Sequence, residues 1–101
     1  IVKIFSFIIL MSYKIKAGQR SQATKLKVSL KPSTVKNKKL SVFKNGEKVA
    51  DIGMLGYRDF HSIKDREEAE KAKKSYRARH GCADSRRGTP QFYSCEILWN
   101  E

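Results

Sequence analysis

Three sets of side chains have types and spacings that could do chemistry. The first is basic. Between Met11 and Lys48 stand Lys14, Lys16, Arg20, Lys25, Lys27, Lys31, Lys36, Lys38, Lys39, Lys44 and Lys48, opposed by Glu47 alone. Bases and acids are balanced from Val49 to Ser75, and nearly so beyond it, so the formal net charge of +12 comes from the N-terminal half. A one-sided excess of this kind attracts polyanions, nucleic acid before an anionic membrane or an acidic protein. Lysine suits phosphate contacts that do not depend on base sequence. The candidate contacts are Lys25, Lys27, Lys31, Lys36, Lys38 and Lys39, with the adjacent pair Arg86 and Arg87 beside Gly88. The competing explanation is a solvated face, or edge-strand lysines that discourage aggregation.

The second set is His61, His80, Cys82 and Cys95. Structural zinc sites bring paired ligands on tight knuckles, and only His80-Gly81-Cys82 is close-spaced here, so no metal is expected. Arg79-His80-Gly81 spells a phosphatase-like triplet, but it ends a helical pattern in a chain too short for that α/β fold; His80 reads as a cation at a helix C-terminus. The two cysteines are too few for a disulfide scaffold and, without a secretory pattern, are expected as reduced thiols in an intracellular setting, with one Cys82–Cys95 bridge as the alternative. The third set is the acids Asp51, Asp59 and Asp65. Asp51 and Asp59 are isolated and Asp65 is a helix cap. With no phosphate loop, nucleophile elbow or paired-carboxylate site, the chain is not expected to be an enzyme or to need a cofactor.

The elements that position these residues follow from periodicity. The 101 residues suffice for one domain. Ile1–Leu10 is apolar except for Lys3 and Ser6, too short to span a bilayer, and reads as an upstream artefact rather than a strand or anchor; residues 11–101 form the expected domain. Tyr13–Ile15 should begin as a strand and pass into a loop. Lys25–Lys31 alternates, with Leu26, Val28 and Leu30 on one face and Lys25, Lys27, Ser29 and Lys31 on the other, the pattern of a half-buried strand with a cationic outer face. Asn45-Gly46 between two strand-like runs predicts a type I′ hairpin pairing Lys44 with Glu47, Phe43 with Lys48, Val42 with Val49 and Leu40 with Asp51.

A helix should start at Asp65, with Glu68 completing a capping box, acids in its first turn and Arg77 and Arg79 in its last. Glu67–Lys71 and Glu70–Lys74 stand in the favoured i,i+4 order, and Gly81 should end the helix. In Gly56-Tyr57-Arg58-Asp59-Phe60, Tyr57 and Phe60 should pack while Asp59 caps a turn or meets an arginine. Thr89-Pro90 opens a short helix whose apolar continuation, Phe92 to Trp99, must dock on the core. The expected class is α+β: a small antiparallel sheet of about three strands, one charged helix and a C-terminal aromatic helix.

Gly56-Tyr57-x-Asp59-Phe60, Lys64-Asp65, Tyr76-x-x-Arg79-His80, Phe92-Tyr93-Ser94 and Leu98-Trp99 follow one another in an order that resembles a family of small basic proteins of unknown function encoded by large DNA viruses of algae and protists. That pattern runs roughly GYxDY, HKD, YxxRH and GFxSxxLLW; Ile63 replaces its histidine and Gln91 its glycine. The resemblance implies a viral protein of the infected cell or virion, with no assigned chemistry. Two functions fit: an accessory protein that binds DNA or RNA phosphates, or a virion assembly protein whose basic face meets an acidic protein surface with Tyr93 and Trp99 as anchors. A membrane partner would require Ile1–Leu10 to lie in lipid.

Overall fold

The structure is a computed structural model that describes residues 13–100, so the expectations for Ile1–Leu10 lie outside the described residues. In chain order the elements are α1 (Ala17–Lys25), β1 (Ser29–Pro32), β2 (Lys38–Lys44), β3 (Glu47–Met54), a 3-10 turn (Phe60–Ser62), α2 (Arg66–Arg79), a second 3-10 turn (Cys82–Asp84) and α3 (Pro90–Tyr93), which runs into a π turn (Ser94–Leu98). The three strands form one antiparallel sheet in the order β1-β2-β3. The fold is α+β, as the periodicity predicts.

The first element departs from expectation. Residues 13–15 are not a strand, and a helix follows where a loop was expected. Sequence AGQRSQATK has no apolar stripe, so hydrophobic periodicity cannot reveal α1. Its buried face is made instead of Gln19, Gln22 and Ala23. Gln19 accepts from the Lys16 backbone N–H at 2.9 Å and donates to the Tyr13 hydroxyl at 2.8 Å; Gln22 donates to the Glu96 carbonyl at 2.9 Å. A buried amide is tolerated only when its donors and acceptor are satisfied in this way. Gly18 lets the helix sit on His61, whose ring atoms would lie within 2.6 Å of a Cβ at position 18.

The alternation across Lys25–Lys31 also misleads. Lys25 belongs to the last turn of α1, Leu26 caps it and Lys27 adopts φ 61°. Lys27 N–H bonds to the Thr24 carbonyl and Val28 N–H to the Ala23 carbonyl, which is the Schellman pattern of a left-handed helix stop. Only Ser29–Pro32 remains as strand, with Leu30 inward and Lys31 exposed.

The hairpin forms at Asn45-Gly46, where both residues have positive φ (53° and 82°). Lys44 pairs with Glu47 and Phe43 with Lys48, as expected. Beyond them the register is shifted by a bulge: Val42 faces Ala50, Ser41 faces Asp51 and Leu40 faces Ile52. The extra residue leaves Val49 exposed and turns Ala50 and Ile52 inward. Leu30, Leu40, Val42, Ala50 and Ile52 share a single core with Phe60, Ile63, Ala69, Tyr93, Ile97, Leu98 and Trp99.

Helix α2 begins as predicted, with the Asp65 carboxylate accepting from the N–H groups of Glu67 and Glu68. Glu68 does not close a capping box; its carboxylate pairs with Arg58. Glu67 meets Lys71 at 3.7 Å, but Glu70 meets Lys73 rather than Lys74. Gly81 takes the left-handed conformation that ends the helix (φ 58°). Thr89 caps α3 through the Phe92 N–H, and the aromatic segment docks.

Cys82 and Cys95 are not free thiols. The 82–89 loop folds back, placing their Cα atoms 5.6 Å apart, and a disulfide joins them. The expectation of reduced thiols gives way to the alternative of one bridge. Among the described residues no helix is long and apolar enough to cross a membrane. The disulfide ties residues 13 apart, and closing a loop of that length stabilises a fold by about 3 kcal/mol. Urea unfolding with and without a strong reductant should show a loss of about that size, reproduced by Cys82→Ser/Cys95→Ser and absent when reductant is added to that variant.

Candidate nucleic-acid interface

The candidate lysines separate into one that builds the fold and others that face outward. Lys39 is 4% exposed. Its ammonium lies 2.9 Å from Asp59 Oδ2 and donates to the Tyr57 carbonyl at 2.5 Å, while its alkyl chain closes over Gly53, where a Cβ would come within 3.0 Å of it. Asp59 is 1% exposed. It accepts further bonds from the Tyr13 hydroxyl at 3.0 Å and the Ser62 N–H at 3.1 Å. Asp59 therefore caps a turn, as expected, and pairs with a lysine rather than an arginine. Lys39 is unavailable to phosphate: withdrawing its ammonium would leave a buried carboxylate without a counter-charge.

The other candidates do not share one sheet face. Lys25 and Lys27 lie at the α1–β1 junction, with the Lys25 ammonium on Gln22 Oε1 at 3.2 Å. Lys31 stands on β1, its ammonium 5.1 Å from the Phe43 ring centre. Lys36 is exposed in the β1–β2 loop and Lys38 is half-buried at the start of β2. Arg86 and Arg87 are exposed before α3, Arg87 over the Phe92 ring. The seven residues of β2 put roughly 20 Å between Lys38 and Lys44. The sheet face bearing Lys31 also holds an acid. Asp51 accepts from Ser41 at 2.5 Å and Ser33 at 2.8 Å and meets Lys48 at 3.1 Å. Burial alone would raise the Asp51 carboxyl, but those two hydrogen bonds and the Lys48 ammonium outweigh it and hold the group below its ordinary value.

A cleft of about 820 Å³ lies at the Lys38 end of the sheet, between the β3 exit, α2 and the C-terminal segment. Among the described residues its lining includes Lys38, Arg58, Arg79 and His80, and no carboxylate. Three of its rings are stacked: Tyr76 lies 4.0 Å from His80 and 4.7 Å from Trp99, centre to centre. Burial raises the Tyr76 phenol, against smaller lowering effects from a Ser94 hydrogen bond and the nearby Arg79. Tyr57, expected to pack, is 69% exposed at the cleft, while Phe60 is buried. Tyr93 and Trp99, expected as partner anchors, belong to the core. Sequence reasoning missed this cleft because its walls come from distant stretches. The one local signal is that positions 76, 79 and 80 share a helix face.

Replacing Lys39 by Met should cost about 3–5 kcal/mol, the cost of breaking a buried pair from one side, whereas Lys36→Met should stay within about 0.5 kcal/mol of the parent; chemical denaturation of both variants checks this. The Tyr13 phenol is pushed up to about 12, chiefly by burial, with Asp59 adding and Gln19 opposing. The unfolded chain releases that proton near pH 10 while the folded protein keeps it. Stability should therefore fall as pH rises from about 10 to 12, with a shallower slope in Tyr13→Phe, measured as urea midpoint against pH.

A family model described as a family of unknown function, DUF5754, matches residues 28–80. That is just over half of the chain, from the β1 approach to the end of α2, and the chain belongs to this family. No curated protein and no solved structure matches it.

Proposed function

For this member of a family without assigned chemistry, we propose a non-enzymatic role: binding nucleic acid through its phosphate backbone, without reading base sequence. The observation that carries this reading is how the charges are sorted. Asp51, Asp59, Glu67, Glu68, Glu70 and Glu96 each lie within 4 Å of a base of the same fold. Lys27, Lys31, Lys36, Lys38 and Lys44 form no ion pair among the described residues, so six of the described acids are already matched within the fold while these lysines keep a charge that no acid of the fold balances at ion-pair distance. A polyanion that meets them displaces counterions, the main source of affinity in sequence-independent binding. The resemblance to small basic proteins of large DNA viruses supports placing the protein among those that accompany a viral genome, in the infected cell or the virion.

Binding to random-sequence duplex should be measurable at low salt. If about five phosphates are neutralised, log K should fall against log salt with a slope of roughly −4 to −5. Lys36→Glu/Lys38→Glu, with Lys39 left in place, should weaken binding to every sequence alike and flatten the slope by about two. No binding at low salt contradicts the proposal.

A further inference from the structure

Phosphate contacts alone leave the exposed Tyr57 ring at the cleft without a role. We propose that the cleft takes single-stranded nucleic acid, with a base stacked on Tyr57 and the adjoining phosphates held by Lys38 and Arg79. This inference rests on the nucleic-acid reading above and names the form of nucleic acid that the site selects.

Tyr57 carries the case. Its ring is 69% exposed, yet its backbone is held at both ends: the N–H bonds to the Met54 carbonyl at 3.2 Å and the carbonyl accepts from the buried Lys39 ammonium at 2.5 Å. An aromatic face is thus presented from a fixed backbone, so little ordering cost remains when a base stacks on it. Met54 and Leu55, 50% and 43% exposed, extend the same apolar edge. The Trp99–Tyr76–His80 stack lines the same cleft.

The charges fit the same ligand. Arg58 is balanced by Glu68, but Lys38 and Arg79 form no ion pair among the described residues; Arg79 makes only a 3.3 Å bond from Nε to the Ser75 carbonyl. Among the described residues that line the cleft there is no carboxylate, and Glu68, which reaches the lining residue Arg58, is paired with it. A basic groove interleaved with rings is how proteins hold single strands irrespective of sequence. A duplex offers its phosphates but not its base faces, which are already stacked.

The test is fluorescence anisotropy at low salt, with a labelled random-sequence DNA single strand and a hairpin duplex carrying the same number of phosphates. The single strand should bind at least tenfold more tightly. Tyr57→Ala should weaken single-strand binding by roughly 5- to 150-fold, the equivalent of about 1–3 kcal/mol for one stacked base, and leave duplex binding unchanged. Tyr57→Phe should retain the parent affinity. Unchanged thermal midpoints confirm that each variant is folded. Equal binding of single strand and duplex, or a Tyr57→Ala variant that binds the single strand like the parent, overturns this inference while the phosphate-binding reading stands. Failure of both DNAs to bind overturns both.

Discussion

A buried carboxylate sets the terms for the rest of this molecule. Asp59 sits in the interior with its charge matched by Lys39 and its remaining acceptor positions filled by Tyr13 and the Ser62 backbone. Burying such a pair is expensive unless every polar atom around it is satisfied, and the surrounding design answers that demand. Gln19 fixes the Tyr13 hydroxyl, which positions the start of α1 against the 3-10 turn. Gly53 leaves room for the lysine stem to cross the sheet end. The same ammonium holds the Tyr57 carbonyl, so the hub that closes the core also presents the exposed ring at the cleft. Among the described residues no buried side-chain nitrogen or oxygen lacks a partner.

That hub explains why the charge surplus cannot be read as a single surface. Lys39 and Lys48 answer Asp59 and Asp51, Arg77 answers Glu96 at 3.1 Å, and Lys71 and Lys73 answer acids on their own helix. Bases not matched in this way include those at the α1–β1 turn, on β1, in the β1–β2 loop, at the start of β2, at the hairpin tip, at the end of α2 and in the loop before α3.

Local chemistry was legible wherever one or two residues decide the backbone. Asn45-Gly46 needs positive φ, Asp65 and Thr89 supply cap oxygens, Gly81 stops a helix, and each does so here. What stayed hidden depends on distant partners. Helix α1 buries glutamines whose partners are Tyr13 and the Glu96 carbonyl. The alternating lysines of 25–31 straddle a helix stop that propensity does not signal, because lysine seldom adopts positive φ. The bulge beyond Phe43 serves the core, which needs Ala50 and Ile52 inward. The pairing of Cys82 with Cys95 depends on a loop that folds back to bring their Cα atoms within 5.6 Å, which the spacing of the two residues does not signal. The cleft is assembled from four stretches of chain and has no signature of its own.

The central claim is that Lys39 serves the interior while its neighbours face a ligand. Nitrogen-15-edited NMR of the lysine ammonium groups, recorded before and after adding a DNA oligonucleotide, tests this directly. The account predicts a slowly exchanging Lys39 signal, protected by its hydrogen bonds and left in place by DNA, with changes confined to exposed lysines such as Lys36 and Lys38. A Lys39 ammonium that exchanges as fast as the surface lysines, or that shifts with them on DNA addition, would contradict it.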